Sequence, residues 1–132
     1  MTMQEKEQEI IEDFNELRDE ILIFEYMFCL AAETEWMPDE EQTDEKKVPG
    51  CQSGVWLDVS CKNGILNIKC TSDSLVVKGI LAILLKIING EPCEQVANYK
   101  FDIIDKTFLK DYLSEERVLG LRSVMDRIRN VI

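Results

Sequence analysis

The chain has 132 residues, 45% of them hydrophobic, and a formal net charge of -11 at pH 7. This length suits one domain with its own core, and the acidic balance disfavours nucleic acid and anionic membrane surfaces as partners. The sequence contains no histidine, which excludes Ser-His-Asp and Cys-His nucleophile pairs and histidine-ligated metals. None of the five cysteines forms a Cys-x-x-Cys pair, so zinc-ribbon and thioredoxin-type sites have no support.

The first third of the chain is predicted to be helical. A weak break near Arg18-Asp19 divides residues 1–36 into two predicted helices, and residues 37–54 follow as a charged linker and a loop. The helical prediction rests on apolar residues at steps of three and four, namely Ile10, Phe14, Leu17, Ile21, Phe24 and Phe28.

Two features of the sequence indicate a cytoplasmic protein. The first residues are polar and lack the apolar segment of a secretory signal, and an odd number of cysteines is typical of a reducing compartment. The longest apolar run, Leu75 to Ile88, is shorter than the roughly 20 residues needed to cross a bilayer.

A β-hairpin is predicted over residues 55–71. Apolar and polar residues alternate on both sides of Asn63-Gly64, a strong signal for a two-residue turn. Such a turn fixes the register and places Asp58 opposite Lys69, an opposite-charge pair that supports the pairing.

Residues 72–132 are predicted to be mainly helical. The Ser72-Asp73-Ser74 segment can cap an apolar helix from Leu75 to Ile88, which Asn89-Gly90 ends. Pro92 is expected to begin a short helix, and Asp105 another that continues to Leu113.

A last helix is expected after Ser114, and Tyr99 to Ile104 is a candidate third strand or an extended connector. The last helix should bury Val118, Leu121, Val124, Met125, Ile128 and Val131.

Four of the cysteines are expected to have packing roles. Cys29, Cys61 and Cys70 fall in apolar patterns, and Cys93 stands early in a short helix, where partial exposure is expected. In the predicted register Cys61 and Cys70 lie roughly 13 Å apart, too far for a disulfide.

Cys51 differs from the other cysteines because it follows the turn formed by Pro49 and Gly50. Turn residues keep the backbone at the surface, so this thiol should be reachable by another molecule. Lys46 and Lys47 are close in sequence and favour the reactive thiolate. The residues alone therefore indicate a reactive thiol with no base beside it.

The segment Gly50-Cys51-Gln52-Ser53-x-Val55-Trp56 resembles the signature loop of the SufE family of sulfur-acceptor proteins. Ser72-Asp73 with Val77-Lys78-Gly79 resembles the family pattern at its central helix, and Leu113, Arg117 and Gly120-Leu121 resemble the pattern that opens its last helix.

The resemblance implies that Cys51 accepts sulfur as a persulfide from a pyridoxal-phosphate cysteine desulfurase of the SufS or CsdA type. The sulfur would pass on to an iron–sulfur scaffold of the SufB type, with no cofactor, metal site or independent catalytic machinery on this chain. Gly50, Gln52 and Ser53 would shape the loop.

Three further residues carry roles over from the resemblance. Trp56 would anchor the loop or pack beside it, Asp73 would cap a helix near it, and Arg117 would lie at the end that faces the partner. The implied fold is α+β with two layers, a small antiparallel sheet packed against helices as in SufE and IscU proteins. We expect one domain over residues 1–132, as a monomer or weak dimer.

The chain departs from the family at two positions. Gly54 stands where relatives often carry a polar or basic side chain, which should loosen the loop, and Tyr112 stands where many relatives have histidine. Two alternative functions stay open. One is a regulator that binds a desulfurase without carrying sulfur, and the other is an IscU-like scaffold that binds an iron–sulfur cluster or zinc.

Overall fold

Two capped helices form the N-terminal third, as predicted. The computed structural model describes residues 1–50, 53–107 and 109–132. Helix α1 (Met3–Glu16) begins with a capping box in which Thr2 and Glu5 each accept a main-chain N–H from the other. Asp19 caps helix α2 (Glu20–Ala32).

The break between the first two helices changes which side chains are buried. Because the helical phase restarts at α2, Ile21 is 68% exposed, and its predicted place in the apolar stripe is wrong. The residues of α2 that do enter the core are Ile23, Met27, Leu30 and Ala31.

The β-hairpin has the predicted register. Strand β1 (Val55–Lys62) pairs antiparallel with strand β2 (Ile65–Ser72), and Asp58 lies opposite Lys69. Asn63 and Gly64 both have positive φ, at 54° and 79°, as a type I′ turn requires.

Of the two alternatives for Tyr99 to Ile104, the third strand is wrong for the residues that the structure describes. Their sheet has two strands, and Ile103–Lys106 forms a short helix, α5. The backbone N–H groups of Asp102 and Ile103 donate to the carboxylate of Glu7 at 2.7 and 3.0 Å instead of to a neighbouring strand.

Helix α3 (Leu75–Ile88) is the central element, because it packs against α2 on one side and the hairpin on the other. Ser74 caps its first turn, and eight of its residues from Gly79 to Ile88 are buried. At Gly79 an added Cβ would lie 2.9 Å from the Cβ of Met27, so only glycine permits this close approach of α2. One face of the hairpin thus covers the helices in the predicted two-layer α+β fold.

The helices between α3 and the last helix are short. Helix α4 (Cys93–Ala97) follows Pro92 as predicted, whereas the single helix predicted from Asp105 to Leu113 is replaced by α5 and by α6 (Leu109–Tyr112).

Helix α7 (Glu115–Val131) begins at the Ser114 cap. Val131 is 52% exposed and does not pack inward, because it lies in the last turn of the helix. None of the helices in the described ranges is long and apolar enough to cross a bilayer.

A buried carboxylate ties α1 to the second half of the chain. Glu7 is only 3% exposed and also accepts a hydrogen bond from the hydroxyl of Tyr99. Burial, together with this hydrogen bond to Glu7, raises the pKa of Tyr99. The two oxygens of Glu7 thus fix the segment that precedes α5.

Cys61 and Cys93 form a disulfide that the sequence did not predict, with their Cα atoms 6.5 Å apart. The expected inward packing of Cys61 is wrong, because Cys61 is exposed although its cross-strand partner Leu66 is buried. The N–H of Cys93 donates to the carbonyl of Gly64 at 2.9 Å, which brings the start of α4 against the hairpin turn.

The other two described cysteines are free. Cys70 is buried opposite Leu57, as predicted, so the exclusion of a Cys61–Cys70 disulfide is confirmed. Burial raises the pKa of the Cys70 thiol to about 12. Cys29 is exposed rather than buried, which corrects the expectation for that residue.

Candidate functional site

The residues on either side of the cysteine loop are joined by main-chain pairing. The N–H of Val48 donates to the carbonyl of Val55 at 2.8 Å, and Lys47 forms an antiparallel bridge with Trp56. The predicted nucleophile Cys51 and its neighbour Gln52 lie outside the described residues. In the sequence they fall between Val48 and Val55, the two residues that this hydrogen bond joins.

The end of the loop that leads into β1 is held by the segment before α3. The N–H of Gly54 donates to a carboxylate oxygen of Asp73 at 3.0 Å. The carbonyl of Gly54 accepts from the hydroxyl of Ser72 at 2.7 Å and from the N–H of Asp73 at 3.2 Å. Both main-chain polar groups of Gly54 are therefore satisfied by Ser72, at the end of β2, and by Asp73. The expectation that Asp73 caps the helix is wrong, because Ser74 is the cap of α3 and the Asp73 carboxylate accepts from Gly54 instead.

Gly54 does not loosen this end of the loop, which corrects the expectation drawn from its lack of a side chain. An added Cβ would lie 2.7 Å from Asp73 Oδ2 and 2.7 Å from the ring of Trp56. Glycine permits the close contact because it has no atom in that space.

The end of the loop that follows the charged linker is held by helix α7. One nitrogen of the Arg127 guanidinium donates to the carbonyl of Lys47 at 2.9 Å, and the other donates to the carbonyl of Glu45 at 2.6 Å. The sequence gave no signal for these contacts.

A small apolar cavity of about 30 Å³ lies beside the loop. Its wall is formed by β1, α3 and α7, and Ser53, Glu116 and Arg117 supply polar groups to its lining. The side chains of the apolar wall are Val55, Val77, Ile80, Leu81, Leu121 and Val124. An apolar cavity of this size accommodates a weakly solvated atom such as sulfur better than a charged group.

Arg117 links the starts of α3 and α7 at the edge of this cavity. Its guanidinium donates to the hydroxyl of Ser74 at 3.4 Å, and its main-chain N–H is capped by Ser114. The structure thus brings Ser53, Asp73 and Arg117 to one end of the molecule, around the start of α3. Tyr112 is half-buried and packs edge-on against Phe24 with 6.5 Å between ring centroids.

The two lysines before Cys51 contact side chains of β1. Lys46 lies 3.7 Å from the carboxylate of Asp58, and the ammonium of Lys47 lies 5.8 Å from the ring centroid of Trp56. Trp56 is half-buried and faces Gly54, so its role in holding the loop is direct packing. Gly50 has φ +82° and is exposed, consistent with a turn that needs glycine.

Metal ligands do not cluster in the part of the chain that the structure describes. Within residues 1–50, 53–107 and 109–132, no group of three or more cysteine, aspartate or glutamate side chains could hold a metal ion. The described part of this end of the molecule instead offers an anchored loop, an apolar cavity and hydrogen-bond donors.

The family model described as "SufE: Fe-S metabolism associated domain" matches residues 8–132. This chain belongs to the SufE family. SufE-like proteins of two rhizobia, both uncharacterised, are similar over most of their length. The Rhizobium etli protein is 36% identical over 126 residues, covering 92% of this chain and 85% of its own. The Rhizobium meliloti protein is 33% identical over 127 residues, covering 92% and 91%.

Two further comparisons extend this relation. The sulfur acceptor protein CsdE of Escherichia coli is 27% identical over 107 residues, covering 80% of this chain and 73% of its own. The solution structure of a hypothetical protein from Thermus thermophilus superposes with a TM-score of 0.78 at 19% identity, covering 96% of this chain and 92% of that one. This structural likeness confirms the α+β fold that the resemblance implied.

Proposed function

We propose that this chain is a sulfur acceptor that takes persulfide sulfur from a cysteine desulfurase onto Cys51. The anchored loop carries this proposal. The family's signature cysteine falls in a loop whose two ends are fixed by Arg127 and Asp73, next to an apolar cavity. Membership of the SufE family and the similarity to a protein named as a sulfur acceptor support it.

The transfer step is thiol–persulfide exchange. The Cys51 thiolate attacks the outer sulfur of the desulfurase persulfide, forming a new S–S bond while the original S–S bond breaks. The desulfurase cysteine leaves as a thiolate, so electrons balance and no outside oxidant or reductant is needed. The exchange requires a thiolate and access but no general base, which fits a chain without histidine.

The apolar cavity gives the carried sulfur a place away from water. Thiols and thiolates in solution attack exposed persulfides, so shelter between transfers protects the cargo. Ser53 and Arg117, which contribute to the cavity lining, supply donors that can hydrogen-bond the terminal sulfur at the edge of the cavity.

The wider role follows from this step. The partner would be a pyridoxal-phosphate desulfurase of the SufS or CsdA type, which the carrier stimulates by removing its persulfide. The sulfur would pass to an iron–sulfur scaffold such as one of the SufB type. We place this exchange in the cytoplasm, carried out by one domain over residues 1–132 that acts as a monomer or weak dimer and has no catalytic machinery or cofactor of its own.

A Cys51→Ala variant tests the acceptor role. We expect that the wild-type chain stimulates cysteine turnover by its desulfurase and that Cys51→Ala does not, because the variant has no thiol to receive the sulfur. Cys29→Ala is the matched control, since it removes an exposed thiol elsewhere. Stimulation that survives in Cys51→Ala would instead identify a regulator, and a stoichiometric metal ion lost in Cys51→Ser would identify a scaffold.

A further inference from the structure

Arg127 makes a two-pronged contact with the segment that enters the cysteine loop. Its two terminal nitrogens donate to the carbonyls of Lys47 and Glu45, at 2.9 and 2.6 Å. A guanidinium presents its donors in a rigid planar fork, whereas lysine has one flexible ammonium. The fork therefore fixes the spacing and direction of two carbonyls that lie two residues apart.

The position of Arg127 on helix α7 connects this contact to the rest of the site. Val124, one turn earlier on the same helix, lines the apolar cavity, and Gly120 and Leu121 line it one turn before that. One helix thus forms a wall of the cavity and holds the entrance to the loop. Asp73 and Ser72 hold the exit through Gly54.

The contact also supports the short pairing between the loop entrance and β1. Val48 is buried and donates to Val55, and the Arg127 fork holds the carbonyl of Lys47, the residue just before it. Without the fork, the entrance segment would be joined to β1 by the Val48 bond, the Lys47–Trp56 bridge and side-chain contacts, but it would lose its main-chain contact with α7. The residues that follow Val48 would then sample a wider range of positions.

We propose that Arg127 is a positioning residue for sulfur transfer. It acts through the carbonyls of Lys47 and Glu45, and it orders the loop entrance so that the cysteine meets the donor persulfide in reactive geometry. This role rests on the proposed sulfur-acceptor function and adds to it a residue of α7 that contacts the segment entering the loop. Ordering the free carrier in this way raises the fraction of complexes that are ready to react.

The test compares Arg127→Ala with Arg127→Lys and with Arg129→Ala. Arg129 is the matched control because it lies on the same helix and also donates to a main-chain carbonyl, that of Tyr99 at 2.8 Å, away from the loop. We expect Arg127→Ala to lower the rate constant of sulfur transfer on the order of 5- to 30-fold, the effect of losing one or two charged hydrogen bonds. Arg127→Lys should recover part of the rate, and Arg129→Ala should stay within about twofold of wild type.

Two measurements separate positioning from docking and from folding. The Kd for the desulfurase should stay within about threefold of wild type in Arg127→Ala, because the residue orders the loop rather than binding the partner. Hydrogen exchange of the Val48 amide should become faster in Arg127→Ala and remain unchanged in Arg129→Ala.

Each result decides between these explanations. Transfer by Arg127→Ala at the wild-type rate, or equal losses in Arg127→Ala and Arg129→Ala, would overturn the positioning role. If Arg127→Ala does not fold, an unchanged rate and unchanged Val48 exchange in Arg127→Lys would overturn it. If wild type carries no sulfur on Cys51 the acceptor function fails, and the exchange measurement still decides whether Arg127 orders the loop entrance.

Discussion

Gly54 and Asp73 are joined by two hydrogen bonds that run in opposite directions. The Gly54 N–H donates to the Asp73 carboxylate at 3.0 Å, and the Asp73 N–H donates back to the Gly54 carbonyl at 3.2 Å. Asp73 directly precedes Ser74, the cap of α3. The contact therefore fixes the end of the cysteine loop to the start of the central buried helix. Substitutions at this contact should therefore affect both stability and the site.

Gly54→Ala should lower the stability of the protein. The new methyl group would lie 2.7 Å from both Asp73 Oδ2 and the Trp56 ring, and such overpacking costs about 1–3 kcal/mol. Thermal unfolding followed by circular dichroism should show a melting temperature lowered by roughly 4–12 °C. Ser53→Ala, one residue earlier, adds no atom and should melt close to wild type. A Gly54→Ala protein as stable as wild type would show that the contact is loose.

Glu7→Gln should destabilise the protein by about 2–4 kcal/mol in urea unfolding. The amide keeps one acceptor oxygen, but its NH₂ group would face N–H donors of Asp102 or Ile103, or the Tyr99 hydroxyl. Glu9→Gln, an exposed change on the same helix, is the control and should cost less than about 0.5 kcal/mol. Equal stability of the two variants would mean that the buried carboxylate is dispensable.

Cys61→Ser should reveal a stability difference that depends on the redox conditions. Without reductant, wild type is expected to be about 2–4 kcal/mol more stable, because the disulfide to Cys93 closes a loop of 32 residues in the unfolded chain. In excess dithiothreitol the two proteins should have the same unfolding midpoint, since Cys61 is exposed and its side chain contributes little packing. A wild-type protein that gives the same unfolding curve with and without reductant would argue against the pairing.

Cys70 should make the stability of the reduced protein depend on alkaline pH. Burial raises its folded-state pKa from 9.0 to about 12, so above pH 9 the unfolded chain releases a proton that the folded chain keeps. The stabilisation is therefore complete below pH 9 and is lost as the pH rises towards 12. Between pH 8 and 10.5 the wild type should lose about 2 kcal/mol more than Cys70→Ala in urea unfolding. Parallel losses in the two proteins would show that the thiol is not shielded.

Local signals in the sequence were enough to predict the hairpin and the helix caps. Asn63-Gly64 sets the register without help from the rest of the fold, and Ser74 and Ser114 cap α3 and α7 through neighbouring N–H groups. These features depend on residues a few positions apart, so short patterns contain the information.

Features that depend on distant residues were missed. Tyr99 to Ile104 has a strand-like composition, yet Glu7 from the first helix takes its N–H groups. Cys61 alternates with polar residues as an inward-facing residue would, but it is exposed and forms a disulfide with Cys93, the first residue of α4. Asp73 and Arg117 were found through motifs, whereas Arg127 contacts main-chain carbonyls, which leave no trace in side-chain patterns.

Transfer of sulfur to Cys51 is tested most directly by mass spectrometry of the chain after incubation with its desulfurase and cysteine. Digestion without reductant should place an added mass of about 32 Da, one sulfur atom, on the peptide that contains Cys51. The Cys51→Ser variant should gain no such mass under the same conditions. Added sulfur found only on Cys29, Cys61, Cys70 or Cys93, or on no cysteine while the desulfurase is active, would contradict the assignment.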